Sequence, residues 1–222
     1  MFLLVPFLSL PSLLALEPIK LVEPVVDPQY LVPVSPNGRQ AAAAIEKLLG
    51  TRWGYGTMIY TDSTGAAFVV SVWGKDHTES DREHALHNFV TLIEVSLHGD
   101  GDAIRAMPKK QIELPIDVEL ATAVQRAWAV MLLKTRYPTN RYLGGDGWQT
   151  EFSVWVSGAG AVFGQLWSPS NGLPKELMDL GFALADYCKS PEAERTKKRE
   201  KLMRWLADFA ERAQKSSPAE VR

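Results

Sequence analysis

GGDGWQTEFSVWVSGAGAVFGQLWSP, residues 144–169, is the stretch that decides the fold of this chain. Apolar and polar residues alternate on both sides of residues 157–160, and such alternation is typical of strands with one buried face. Serine, alanine and two glycines between the two runs are typical of a tight turn. The stretch therefore predicts a β-hairpin whose apolar face packs against helices.

The register of this hairpin depends on the length of its turn. With a four-residue turn, Val156 pairs with Ala161. Phe163 and Gln165 then lie on the same face as Phe152. This register predicts one strongly apolar face, with Gln165 as a polar amide among aromatic side chains.

Two further residues of the hairpin are unusual. Gly164 lies inside the second strand, where a glycine often marks a bulge or a close approach of another backbone. We expect the gap that it leaves to lie beside Ser153. Trp155 is predicted on the face away from Phe152, where it is either covered by another element or exposed to a partner.

A second hairpin is predicted from residues 57–61 and 66–73, which flank the turn sequence DSTG. Pairing Thr61 with Ala66 gives this hairpin two apolar faces. One face carries Ile59, Phe68, Val70 and Val72. The other carries Met58, Tyr60, Val69 and Trp73.

The remaining elements follow from periodicity and capping. Residues 87–97 are predicted as a strand because their β-branched residues and alternation outweigh the helical pattern that follows Ser80-x-x-Glu83. Asp117 is predicted to cap the clearest helix, over residues 117–136. A further strand is expected at 109–114, and further helices at 39–49, 173–187 and 191–214.

These elements predict an α+β domain, an antiparallel sheet of two hairpins plus one or two strands packed against three main helices. We expect residues 1–16 to be a signal peptide, 17–38 a proline-rich leader, 39–214 a single domain and 215–222 a polar tail.

Residues 1–16 carry no charged side chain and are too short and proline-interrupted for a membrane span. The protein is therefore expected to be periplasmic or secreted, with a mature chain that starts near Leu16 or Glu17 and has no transmembrane span. An uncleaved anchor and a misplaced start codon are the alternatives.

The net charge of −2 gives no reason to expect a nucleic-acid partner, because phosphate binding needs a concentrated basic surface. The single cysteine, Cys188, excludes an intrachain disulfide and is predicted to be a buried thiol. One basic run is either a solvated helix face or a weak contact with an acidic lipid or protein surface. It comprises Arg195, Lys197, Lys198, Arg199 and Lys201.

The sequence contains no G-x-S-x-G nucleophile elbow and no phosphate-binding loop. His77, His84 and His87 lie among acidic residues, but their spacing is not that of a zinc-binding helix. The GDGD and GGDG turns at 99–102 and 144–147 lack the other acidic positions of an EF-hand. We therefore predict no catalytic residue, metal or cofactor.

Three segments carry a family pattern: WAVMLLKTRY at 128–137, DGWQTEF at 146–152 and GQLWSP at 164–169. They resemble a type of exported bacterial domain of uncharacterised function, in which W…TRY, DGxxYxF and GQxWSP recur in this order. The resemblance covers residues 110–188, and Thr150 stands where that pattern usually has tyrosine. The resemblance implies an exported location and a fold, but it implies no activity.

Two classes of function remain. The first is an exported non-enzymatic binding protein, for instance an immunity-type protein that occludes a partner protein or toxin. Its binding surface is predicted at the hairpin and the turn before it, because rigidly held loops and large aromatic side chains commonly carry recognition. The predicted residues are Asp146, Trp148, Trp155, Gln165 and Trp167. The alternative is an envelope-directed hydrolase that uses Asp146 with Glu151 or a histidine.

Overall fold

The computed structural model describes residues 31–34, 39–49, 53–74, 88–99, 104–136, 148–169 and 171–216. Six strands form one sheet: β1 (Trp53–Thr61), β2 (Ala66–Gly74), β3 (Asn88–His98), β4 (Arg105–Ile116), β5 (Gln149–Val156) and β6 (Gly160–Trp167). The helices are α1 (Arg39–Leu49), α2 (Val118–Leu132), α3 (Gly172–Lys189) and α4 (Glu192–Lys215). The predicted α+β class is confirmed, with β3 and β4 as the strands added to the two hairpins.

The strand order is β4-β3-β2-β1-β5-β6, and every neighbouring pair is antiparallel. Strand β1 therefore joins the two predicted hairpins, because it pairs with β2 on one side and with β5 on the other. Strand β3 confirms the strand interpretation of residues 87–97. The helical turn considered near Ser80 falls outside the described residues.

The predicted register of the β5–β6 hairpin is wrong by one residue. Val156 pairs with Gly160 rather than with Ala161, so the turn contains three residues instead of four. Gly158 and Gly160 have φ angles of +83° and +79°, which let the chain reverse in this short span. Because side chains alternate along a strand, the one-residue change moves every side chain of β6 to the other face.

The β1–β2 hairpin shows the same error. The Asp62 amide donates to the Ala66 carbonyl over 3.0 Å, and Thr61 pairs with Ala67. Gly65 closes the turn with a φ of +80°, while the Asp62 carboxylate accepts hydrogen bonds from turn amides. Tyr60, rather than Ile59, therefore shares a face with Phe68.

Helices cover the two faces of the sheet unequally. α2, α3 and α4 pack on one face, where they bury the main core. The largest side chains in that core include Trp128, Phe152, Phe209, Met58 and Leu120. α1 packs on the other face against a smaller cluster that comes from β1, β2 and β3: Ile59, Ala67, Val69, Ile93 and Val95.

The predicted cap of α2 is confirmed. Asp117 Oδ1 accepts a hydrogen bond from the Leu120 amide over 2.9 Å. The same carboxylate binds the Arg199 guanidinium on α4 through two hydrogen bonds of 2.6 and 2.7 Å. Asp117 thus fixes the start of α2 and attaches it to α4.

The close approach expected at Gly164 is confirmed, but it lies on the opposite face of the sheet from the one predicted. Gly164 pairs with Phe152 and faces the helices, rather than lying beside Ser153. A Cβ at this position would come within 2.8 Å of Leu132, 3.0 Å of Thr135 and 3.1 Å of Leu31. These contacts leave room for a hydrogen atom only.

Replacing Gly164 by alanine should therefore lower the free energy of unfolding by about 1–3 kcal/mol, the usual cost of overpacking a filled core. The control is Gly54→Ala, because a Cβ at that strand glycine would meet its nearest atom at 3.7 Å. Urea denaturation of both variants measures the difference. Equal stability of Gly164→Ala and the wild-type protein would contradict the close approach.

The ion pair at Asp117 predicts a pH dependence. Arg199 holds the pKa of the Asp117 carboxyl well below its usual range. The folded-state pKa is thus below the unfolded one, so this contribution is complete above about pH 4 and is lost as the pH falls further. Asp117→Asn should lower the free energy of unfolding by about 1 kcal/mol at about pH 7 and flatten its acid decline.

Urea denaturation between about pH 2.5 and 7 tests this expectation. Asp208→Asn is the control, because Asp208 forms an exposed ion pair with Arg212 within one helix. Parallel pH profiles for the wild-type protein and Asp117→Asn would show that Asp117 does not supply the expected stability.

Candidate functional site

Three of the five predicted binding residues share one face of the β5–β6 hairpin. Trp155 pairs with Ala161, Gln165 pairs with Glu151, and Trp167 pairs with Gln149. All of these side chains point away from α2, α3 and α4. We call this surface the hairpin face; its residues are Gln149, Glu151, Ser153, Trp155, Ala161, Phe163, Gln165 and Trp167.

The prediction that Gln165 lies among the core aromatic residues is therefore wrong. The predicted position of Phe163 on the face that packs against the helices is also wrong, because 36% of its surface is exposed. The sequence pattern predicts a four-residue turn, whereas the observed turn has three residues and puts Phe163 on the opposite face. The glycine at each end of Gly158-Ala159-Gly160 was the available signal for a shorter turn.

Trp155 is the most exposed tryptophan of the described side chains on the hairpin face, with 44% of its surface accessible. Its main chain is nevertheless fixed, because its carbonyl accepts a 3.0 Å hydrogen bond from Gln125 Nε2 on α2. The preceding residue, Val154, is buried. The exposed indole thus stands on a strand that the core holds in place.

A polar group lies near the other end of the hairpin face. Gln149 Nε2 donates to Glu151 Oε1 and to Gln165 Oε1, each over 3.1 Å. Glu151 is only 8% exposed. The main chain of Gln165 also exchanges two hydrogen bonds with Val32, of 2.8 and 3.0 Å. This end therefore combines a largely buried carboxylate with two amide side chains in fixed positions.

Trp148 belongs to a different surface. Its ring lies 5.9 Å from that of Tyr60, which contacts Phe68 and Phe182 on the helical side of the sheet. The Trp148 amide donates to Ser168 Oγ over 3.1 Å, and the Ser168 amide donates back to the Trp148 carbonyl. Trp148 thus closes the open end of the hairpin. Asp146 lies outside the described residues.

Parts of the three segments that carry the sequence resemblance lie close together. Thr135, from the first segment, lies against Gly164 of the third. Trp148, from the second, is bonded to Ser168 of the third. Residues of the pattern therefore pack around the β5–β6 hairpin. Within it, Gly164 allows the close approach of Thr135, and Ser168 holds Trp148 by hydrogen bonds.

The basic run is mostly engaged within the chain. Arg199 binds Asp117, Arg195 Nε donates to the Ser190 carbonyl over 3.0 Å, and Lys198 binds Asp186 over 2.7 Å. Lys197 and Lys201 instead line a groove between α3 and α4. Of the five residues predicted to contact an acidic surface, two, Lys197 and Lys201, are thus available for that contact in the described structure.

The described residues give limited support to a metal site or to a reactive cysteine. Within them, no group of three or more His, Cys, Asp or Glu side chains could hold a metal ion. His77, His84 and His87 lie outside that part of the chain, as does the GGDG turn. Cys188 is buried as predicted, and burial raises the pKa of its thiol to about 12, which keeps it protonated near neutral pH.

None of the helices in the described ranges is long and apolar enough to cross a membrane.

The exposure of Trp155 predicts a small effect on stability. Trp155→Ala should change the free energy of unfolding by about 1 kcal/mol, because the residue lies at the surface. Trp128→Ala is the control and should cost about 3–5 kcal/mol, because Trp128 fills the core. Chemical denaturation compares the two. A loss of similar size in both variants would place Trp155 in the core instead.

The resemblance to an exported bacterial domain remains an expectation from three short segments. No family model, curated protein or solved structure matches this chain.

Proposed function

We propose that this protein is an exported, non-enzymatic binding protein that occludes a partner protein or toxin, as an immunity protein does. The hairpin face is the binding surface. The observation that carries the proposal is the observed register, which sets Trp155, Phe163, Gln165 and Trp167 on one face of a two-stranded segment.

The composition of the hairpin face supports protein recognition. Tryptophan is enriched among the residues that dominate binding energy, and these residues are commonly surrounded by polar groups. Trp155 and Phe163 supply exposed aromatic surface, and Gln165 and Gln149 supply amides beside them. From the pair Trp155–Ala161 to the pair Gln149–Trp167, the face is about 20 Å long at roughly 3.3 Å per residue.

The location of α1 also supports the proposal. The buried residues that α1 covers come from β1, β2 and β3, with Ala106 of β4 packed beside them. α1 therefore covers the part of this sheet surface away from β5 and β6. The residues that α1 buries therefore do not include Trp155 or Phe163, which are exposed.

The rigidity of the hairpin face is the third observation that supports the binding proposal. β5 is paired on both sides, to β1 and to β6, and its far end is tied to α2 through Gln125. A surface that is ordered before binding loses little conformational entropy when the complex forms. A preformed aromatic face suits tight occlusion of another protein.

An envelope-directed hydrolase is the alternative. Of its two proposed carboxylates, Glu151 is placed on the hairpin face, largely buried and hydrogen-bonded to Gln149. Asp146 lies outside the described residues, so no carboxylate separation supports this chemistry. The binding proposal has the stronger support from described contacts.

A capture experiment tests the binding proposal. The purified wild-type protein, Trp155→Ala and Phe163→Ala are immobilised and exposed to the extracellular and envelope fractions of the producing organism. We expect one protein to be retained by the wild type and reduced at least about tenfold by either variant, as for a residue that dominates binding. The retained protein is then purified, and its own activity is measured with each variant added.

Phe182→Ala is the matched control, since Phe182 is an equally exposed phenylalanine on the helical side. It should capture and inhibit as the wild type does. Retention by all four proteins alike would place the binding surface elsewhere. Hydrolysis of envelope polymers by the purified protein, abolished in Glu151→Gln, would instead establish the alternative.

A further inference from the structure

A second surface, on the helical side of the molecule, carries an unusual arrangement of charge. A groove of about 540 Å³ lies between α3 and α4. Ala183, Leu202 and Trp205 form its apolar wall. Lys197, Lys201 and Arg204 line the same groove from α4. We propose that this groove binds an acidic, amphipathic helical segment of a protein partner.

The charge of the groove selects an acidic occupant. Lys197, Lys201 and Arg204 are exposed and make no ion pair with any described residue. The fourth cation, Lys198, is already bound to Asp186 over 2.7 Å and lies 3.6 Å from Glu194. Those are the two carboxylates that line the groove, so the pairing leaves three positive charges for a ligand.

The spacing of the three cations favours a repeating acidic ligand over a single anion. Positions 197, 201 and 204 recur at helical spacing, so their side chains lie along one stripe of α4. Seven residues of helix extend about 10 Å. One phosphate or carboxylate cannot contact both ends of this stripe. A helix with an acidic residue on every turn can meet each cation separately.

The apolar wall of the groove also favours an amphipathic helix as the occupant. Leu202 is buried at the base of the groove, and the Trp205 indole N–H is already used by Glu176 Oε1 over 2.7 Å. Trp205 therefore offers a ligand mainly apolar ring surface. An occupant needs apolar side chains next to its acidic stripe, which is the pattern of an amphipathic helix lying in a groove.

The concave shape disfavours a membrane as the occupant. A flat bilayer surface would meet the raised lysine side chains but would not reach Leu202 at the base. It would also bring anionic headgroups towards Asp186 and Glu194, which have large exposed fractions. A peptide can enter the groove and place its carboxylates beside Lys197, Lys201 and Arg204 alone.

The test uses the full purified protein and synthetic peptides of about 20 residues, because isolated helices shorter than about 12–15 residues are marginal in water. Glutamate is placed at the seventh, eleventh and fourteenth positions, or at the seventh, tenth and fourteenth, which match the spacing of Lys197, Lys201 and Arg204 in the two directions along α4. Two versions place leucine one residue after or one residue before each glutamate, because the peptide can lie along α4 in either direction. The controls are the same peptides with glutamine for glutamate, and with the glutamates shuffled around the helix.

We expect one leucine version to bind, with an affinity that falls as salt is raised and screens the charges. Lys201→Glu should weaken binding about tenfold, because it reverses the central charge of the stripe. Lys109→Glu is the matched control, because it makes the same charge change on the exposed strand β4 and should bind normally. Thermal denaturation confirms that both variants are folded.

Nuclear magnetic resonance locates the contact. The indole N–H signal of Trp205 should shift on peptide addition, whereas that of Trp155 on the hairpin face should not. Equal affinity of Lys201→Glu and the wild-type protein, equal binding of the shuffled peptide, or a shift at Trp155 alone would overturn the proposal. Binding of phosphatidylglycerol vesicles or inorganic phosphate, but of no peptide, would also overturn it. None of these results depends on the hairpin face being a binding surface.

Discussion

The pairing of β1 with β5 is the constraint on which the rest of this structure depends. It runs from Thr57 opposite Ser153 to Thr61 opposite Gln149 and joins hairpins that are far apart in the sequence. Gly56 in β1 lets α2 lie close, since a Cβ there would come within 3.0 Å of Val124 and 3.2 Å of Trp128. The Trp128 indole then donates to the Thr57 carbonyl over 3.2 Å. One strand thus positions both the sheet and the helix above it.

The helical layer is held by charge at both ends of α2. Asp117 binds Arg199 where α2 begins, and Lys134, just after α2 ends, donates to the Ser216 carbonyl over 2.6 Å at the end of α4. A cation at the C-terminus of a helix satisfies carbonyls that have no partner within the helix. These two contacts fix α4 along α2 and leave its other side, with Lys197 and Lys201, directed to the groove beside α3. A basic helix face is thereby divided into residues that hold the fold and residues that line a surface.

The two proposed surfaces lie on opposite sides of the sheet and differ in kind. The hairpin face is aromatic and amide-rich and is built on paired strands, whereas the α3–α4 groove is cationic at its rim and apolar at its base. Aromatic side chains supply large contact area at low cost in conformational entropy, while exposed charges mainly steer association and discriminate among partners. The first surface suits a tight contact with a folded protein, and the second suits recognition of a short acidic segment.

The sequence alone determined the elements of this protein. Alternation predicted both hairpins and β3, and Asp117 was identified as the cap of α2, because these signals depend on neighbours within a few residues. Gly164 was correctly identified as a point of close approach, since a glycine inside a strand commonly marks a place where another element packs tightly. The buried state of Cys188 followed from its position on an apolar helix stripe.

The tertiary structure decided which side of the sheet each strand residue occupies. Both hairpin registers differed from prediction by one residue, because glycines at positive φ shorten each turn to three residues. That change placed Gln165 and Phe163 on the face away from the helices and Gly164 against α2. The order of the strands and the division of the basic helix face were likewise set by contacts between residues distant in sequence, such as Asp117 with Arg199. Local patterns carry no information about such contacts, because their energies arise only when the separate elements meet.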